Sequence, residues 1–289
     1  MEREIWKGIS KADLITYYHH VSNYILPHLK DRPLSLHVKP LNAVAPGFYI
    51  KDMEDHQPEC AQIFTDQRRH PVKGKRARID YLVCNNEATL LWMINLGCID
   101  VNPWNSRVAT PDMPDFIAID LDPSDDDQVK AAPKLIETAM AVKEYCDREN
   151  LVAFVKTSGK TGMHFFIPCS GFNNKTCRTL AEQMCSDIRD LAPGVSTIEN
   201  SVASRNGKVY LDLSQNDYAD TLASVYSVRP YHLPTVSAPL DWREVNTKLD
   251  LTAFSINNIL TRITKKGDLF RNILDKKIMN RNNRILTKM

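Results

Sequence analysis

The most restrictive feature of this chain is an aspartate pair at the end of an apolar run, Asp115-Phe116-Ile117-Ala118-Ile119-Asp120-Leu121-Asp122-Pro123-Ser124. β-Branched and aromatic residues feed it and Pro123 closes it, which predicts a buried strand. Side chains alternate along a strand, so Asp120 and Asp122 share one face. Two carboxylates that close repel and raise each other's pKa. A divalent cation relieves the conflict, and oxygen-only ligands suit Mg²⁺ or Mn²⁺. Taken alone, the stretch also fits a strand end with two solvated aspartates before a turn.

The 289 residues allow one large domain or two small ones. No apolar run approaches the ~20 residues that span a bilayer. The start, Met1-Glu2-Arg3-Glu4-Ile5-Trp6-Lys7, lacks the apolar core of a signal peptide, so a cytoplasmic protein with no membrane partner is expected. The seven cysteines are scattered, without a C-x-x-C pair, which argues against a disulfide framework and a structural zinc site. Net charge is only +2, so any nucleic-acid binding must come from local patches.

Along the chain, a helix is expected over 10–29, capped by Ser10, with Leu14, Ile15, Tyr18, Val21 and Ile25 at helical spacing. Strands are expected at 34–38, 47–51 and 81–84, and a helix over 86–96 ended by Gly97. Arg68, Arg69, His70, Lys73, Lys75, Arg76 and Arg78 predict a positive loop or hairpin, equally readable as a solvated turn. Helices are further expected over about 129–148, 175–191 and 252–266, with a basic, partly helical tail over 268–289.

Phe154-Val155-Lys156-Thr157-Ser158-Gly159-Lys160-Thr161-Gly162-Met163-His164-Phe165-Phe166 reads as strand, Ser/Gly turn and strand. It is not a Walker loop, because the spacing differs and a strand follows where a helix is required. The turn can still offer backbone N–H groups and Lys160 to phosphates. A plain hairpin with a partly buried His164 is the competing reading. Val209-Tyr210-Leu211-Asp212-Leu213 is a strand with a lone aspartate, costly unless paired, hydrogen-bonded or metal-bound. Strands and helices alternate without a long βαβ series, which favours α+β over a doubly wound sheet.

The order of these signals, D-x-D, then S-G-x-x-G-x-H, then a strand with a third aspartate, resembles the archaeo-eukaryotic primase superfamily. More closely, it resembles the polymerase domain of bacterial ligase D proteins of non-homologous end joining, from about Lys11 to Phe254. Lys11-Ala12-Asp13-Leu14, Arg32-Pro33-Leu34, Gly47-Phe48-Tyr49, Asn102-Pro103-Trp104, Lys156-Thr157-Ser158-Gly159 and Tyr226-Ser227-Val228-Arg229 carry that likeness. It implies a primase-polymerase fold, with a mixed or antiparallel catalytic sheet flanked by helices and an N-terminal α/β module. Residues 1–289 would form one such domain: an N-terminal module to about 105, a catalytic module over about 106–235, and C-terminal helices with a basic tail over about 236–289.

The resemblance also implies function. Asp120, Asp122 and Asp212 match carboxylates that bind two Mn²⁺ or Mg²⁺ ions. Ser158 and His164, with Lys160, match the triphosphate pocket, and Arg229 and Arg205 match basic residues beside it. Phe48 and Tyr49 match an aromatic pair at the DNA end. Lys11, Lys39 and His37 are the candidates for its 5′-phosphate. The chain departs from the family's pattern at Thr161, where a Lys is usual, and at Asn102, where the bacterial fusion proteins often carry His. The expected activity is ribonucleotide-preferring extension of 3′ ends at gaps or overhangs, using NTP or dNTP. The expected partners are a separate ATP-dependent DNA ligase and a Ku-type end-binding protein, near the nucleoid. The competing readings are a primase of the same superfamily and a non-catalytic end-bridging protein.

Overall fold

The computed structural model describes residues 3–67, 77–125 and 128–289. At its centre the Phe116–Asp122 strand lies between Met163–Pro168 and Val209–Asp212, antiparallel to both. Phe154–Thr157 and the short Pro239–Leu240 extend the sheet on one side. Ser196–Thr197 closes the other side in parallel, giving a mixed six-stranded sheet. The fold is α+β, with six α-helices among the described residues.

Alternation along the central strand assigns its two faces. Ile117, Ile119 and Leu121 point to a core shared with the helices Gln128–Arg148 and Asn174–Leu191. Ala118 and Phe166 face the other way, into a core with the N-terminal helix Lys11–Leu29 and a second sheet. That three-stranded sheet has Leu34–Val38 between Phe48–Ile50 and Cys98–Pro103. The lower part of this face is thus buried by the N-terminal half, leaving its upper end, with Asp120 and Asp122, for other work.

Local signals account for the helix ends. Ser10 and Asp13 form a reciprocal capping box. Asn86 caps Glu87–Leu96, which Gly97 ends at φ 113°, a conformation that favours glycine. The expected helix over 252–266 is shorter than its apolar pattern suggests and spans only Ile259–Lys266. Tertiary pairing takes its first half: Val236 N donates to Phe254 O at 2.9 Å, Ile256 N to Pro234 O at 3.2 Å, and Ser255 bridges Thr235. The tail forms a helix at Lys276–Leu286, whose buried Asn282 donates to Val152 O and Pro168 O at 3.0 and 2.9 Å.

Of the basic segment, Arg68, Arg69, His70, Lys73, Lys75 and Arg76 lie outside the described residues, as do Asp126 and Asp127 just after the D-x-D strand. The flanking strands Gln62–Gln67 and Arg78–Val83 pair antiparallel. No helix of the described residues is long and apolar enough to cross a membrane.

Asn216 stitches the sheet where the Asp212 strand ends. It is fully buried, accepts from Ala118 N at 2.9 Å, and donates to Ala118 O and Leu213 O at 2.8 and 2.7 Å. Asn216→Ala should lower stability by about 2–4 kcal/mol, because it strands buried backbone groups. Urea denaturation measures this, and a change within about 0.5 kcal/mol, the range of ordinary surface substitutions, would refute the clamp.

Candidate active site

Strand register builds the site. Asp120 lies directly opposite Asp212 on one side and His164 on the other, and His164 lies opposite Lys156. Residues so paired point to the same face. Four strands therefore set Asp212, Asp120, His164 and Lys156 in one row, with Asp122 two residues beyond Asp120 and opposite Tyr210. The same-face expectation for Asp120 and Asp122 holds, and the lone Asp212 joins them.

The row is electrostatically loaded. Burial, then the neighbouring Asp122 and Asp212, push the Asp120 carboxyl well above the usual range, against the pull of Lys156 and Arg229. Burial and Asp212 raise Asp122 likewise, opposed by Arg205 and Lys160. Asp120 Oδ1 is buried with no hydrogen-bond partner among the described residues, and His164 Nε2 stands 3.4 Å away. An orphaned carboxylate oxygen beside two further carboxylates is what a hard divalent cation satisfies. Among the described residues no three such side chains already stand at metal-ligand spacing. Asp212 is turned aside: Oδ1 accepts from Ser214 N at 2.9 Å and Oδ2 from Gln215 Nε2 at 3.1 Å.

The Ser/Gly turn packs tightly over this row. A Cβ on Gly159 would stand 2.5 Å from Arg229 Cγ, and one on Gly162 2.1 Å from Leu121 O. Only glycine permits either approach. Ser158 is buried, and its Oγ accepts from Lys160 N at 3.1 Å and Gly162 N at 3.0 Å. Those two backbone N–H groups are therefore not offered to phosphates as the sequence suggested, since the serine takes them to close the turn. Lys160 is half-buried, and burial followed by the Arg229 charge lowers its pKa. His164 is 3 % exposed, fully inside rather than partly buried. Burial, then Lys156 and Arg229, hold its pKa well below the ordinary value.

Arg229 enters from a loop pair whose rungs are Tyr226 N to Ser237 O and Arg229 N to Thr235 O, both 2.8 Å. Its Nε is buried with no partner among the described residues. Tyr226, three residues earlier, has φ 64°, a strained value for a bulky residue. It is held from two sides: Tyr17 Oη donates to its carbonyl at 2.7 Å, and its own hydroxyl donates to Asp268 Oδ1 at 2.6 Å. Arg205 lies 4.2 Å from the Tyr210 ring centroid and donates to Glu199 O and Asn200 O at 3.2 and 3.0 Å.

The candidates for the DNA end gather on the N-terminal sheet. Phe48 and Tyr49 are 52 % and 61 % exposed, so they are not core. His37 stacks on Tyr49 with ring centroids 4.5 Å apart, and its Nδ1 lies 3.0 Å from Asp100 Oδ1. Lys11 Nζ donates to Asn95 O, and Lys39 donates from its backbone N to Gly97 O at 2.9 Å. Both lysines thus flank one turn, and Lys39 lies near enough to Lys160 to contribute to lowering its pKa.

Three residues escaped the sequence reading. Lys156 is 1 % exposed beside His164, and the argument that exposed Asp212, a charge inside an apolar strand, applies to it equally. Asp100 joins His37 to Asn102, whose Nδ2 donates to it at 3.2 Å. Burial pushes this carboxyl up, but the His37 hydrogen bond and the Arg229 charge hold it below the usual range. Gln215 holds Asp212, and no sequence signal marks it.

Comparison with known proteins places most of the chain in one family. Residues 10–270 match the family model described as LigD, primase-polymerase domain. The chain is 30% identical over 273 residues to the bifunctional non-homologous end joining protein LigD of Bacillus subtilis, covering 92% of this chain and 42% of that protein. Against the multifunctional non-homologous end joining DNA repair protein LigD of Mycobacterium tuberculosis it is 27% identical, over 92% of this chain and 35% of that one. It thus spans less than half the length of these relatives. The solved polymerase domain of Mycobacterium tuberculosis ligase D in complex with DNA superposes with a TM-score of 0.83 at 25% identity, covering 95% of this chain and 96% of that domain.

A carboxyl whose folded pKa is raised binds its proton more tightly folded than unfolded. Stability of the metal-free protein should therefore fall as pH climbs from the ordinary carboxylate range through the raised values of Asp120 and Asp122. Asp120→Asn should flatten that fall and raise the melting temperature at neutral pH. Thermal melts in chelator at stepped pH check both. A variant that melts lower than wild type at neutral pH would show that the Asp120 charge is already fully compensated.

Proposed function

The chain belongs to the LigD primase-polymerase family, and from that premise we propose that it is a nucleotidyltransferase extending 3′ ends at DNA breaks during non-homologous end joining. The row of Asp212, Asp120 and His164, with the orphaned Asp120 oxygen and the Arg229 cation beside it, carries this reading. Asp120, Asp122 and Asp212 would hold two divalent cations, Mn²⁺ or Mg²⁺. When bound, such ions neutralise phosphate charge and align the attacking and leaving oxygens. Asp212 joins them by releasing the Gln215 amide.

The remaining residues bind and orient. His164 Nε2, Lys160 and Arg229 face the triphosphate of an NTP or dNTP, and Ser158 closes the turn that carries Lys160. Arg205, parked on Tyr210 next to Asp122, supplies a further cation. Phe48 and Tyr49 offer flat faces to bases without reading sequence, worth about 1–3 kcal/mol per stacked base. Lys11 and Lys39, with His37 near them, receive the 5′-phosphate of the break. Their two ammonium groups bond to the carbonyls of Asn95 and Ala45. A ligase that seals the extended end and a Ku-type protein that holds it complete the pathway.

Asp120→Ala and Asp122→Ala should each abolish nucleotide addition in Mn²⁺ while DNA binding survives. A double variant that still adds nucleotides would sink the assignment.

The DNA end gives a separate test. A 5′-phosphate on gapped or 3′-overhang DNA should tighten binding several-fold in one fixed buffer, because salt alone shifts affinity strongly. Lys39→Ala should erase that difference and leave weak duplex binding. Equal affinity with and without the phosphate would favour a primase, which synthesises on single strands without a primer.

A further inference from the structure

We infer that Lys156 is a positioning residue: it donates to His164 Nδ1 and so keeps the ring proton on Nε2, where the imidazole presents a donor to the triphosphate side of the site. The inference rests on the reading of the site given above.

The hydrogen bonds around Lys156 leave little choice. Lys156 and His164 are 1 % and 3 % exposed, so neither exchanges partners with bulk water. Lys156 Nζ lies 2.7 Å from His164 Nδ1 and 2.6 Å from Ser237 Oγ. The Ser237 hydroxyl hydrogen is already committed to Thr157 O at 2.7 Å, since a carbonyl only accepts. Ser237 Oγ therefore accepts from Lys156. In its ammonium form Lys156 has only N–H donors, and it fills this acceptor and the imidazole nitrogen together. His164 Nδ1 thus accepts, which leaves the ring proton on Nε2.

The opposite edge of the ring agrees. Nε2 faces Asp120 Oδ1 at 3.4 Å, an oxygen with no hydrogen-bond partner among the described residues. The Phe166 ring, with its centroid 5.6 Å from Nζ, is a third neighbour of the amine and competes for no hydrogen bond. Removing the amine leaves Nδ1 buried without a partner, and the ring is then free to carry its proton on either nitrogen.

Nitrogen-15 NMR of the histidine rings in the metal-free protein reads the tautomer directly, with the His164 signal assigned by its loss in His164→Gln. The wild type should show a neutral ring protonated at Nε2 across the neutral pH range. Lys156→Met keeps the apolar stem and removes every donor. It should give a mixed or Nδ1–H ring and lower kcat/KM for the nucleotide roughly tenfold, the scale of one charge-assisted hydrogen bond. A wild-type ring protonated at Nδ1 overturns the inference. So does a folded Lys156→Met protein, verified by its melting curve, that keeps the pure Nε2–H form. If Lys156→Met does not fold, the wild-type spectrum alone decides. A wild type that adds no nucleotide while showing the Nε2–H ring would overturn the polymerase reading and leave the tautomer assignment standing.

Discussion

The site depends on the register of one strand against both neighbours. A slip of one residue would turn Asp120 and Asp122 onto the face covered by the helices and put Ile119 and Leu121 where the carboxylates now stand. Several contacts resist that slip along the strand. Asn216 grips both backbone groups of Ala118. Gly162 sits against the Leu121 carbonyl where no side chain fits. At the entry, the buried Arg32 pairs with Asp115, which also accepts from Arg107 Nε at 2.9 Å. The alternation of isoleucines against a helix-covered face does the rest.

Charge then divides the face. Three carboxylates crowd one end of the row, and Lys156, Lys160, Arg205 and Arg229 surround them. The cations moderate the repulsion without cancelling it, since Asp120 and Asp122 remain hard to ionise. A site in that condition is poised to take up positive charge at the aspartates and negative charge at the arginines. Asp100 extends the field into the N-terminal sheet, where the Arg229 charge still reaches it.

Much of this was legible before the fold was known, for local reasons. The apolar run ending in D-x-D, the Ser/Gly turn and the charged residue inside an apolar strand each depend on a few neighbouring residues. What stayed hidden depends on long-range pairing. The apolar spacing over 252–266 is helical, yet half of it is drawn out because Thr235 and Val236 offer a strand edge. Nothing local to Ser158 says that its hydroxyl closes the turn instead of leaving the backbone N–H groups open. Lys156 shows its partner only once the hairpin register is known. Gln215 matters because it follows Asp212 around a short turn, which composition cannot reveal.

The strained backbone of Tyr226 divides the site between two ways of being held. All three aspartates belong to the first 212 residues and can meet as soon as their strands pair. Arg229 is different: its loop is held by Tyr17 from the first helix and by Asp268 from the C-terminal segment. Left-handed backbone at a tyrosine costs about 1–3 kcal/mol unless its surroundings enforce it. The Arg229 loop therefore needs both ends of the chain to hold it, whereas the strands that align the carboxylates lie wholly within residues 116 to 212. A chain without residue 268 would carry the three aspartates with Lys156, Lys160 and Arg205 around them, but with the Arg229 loop tied down at only one of its two ends.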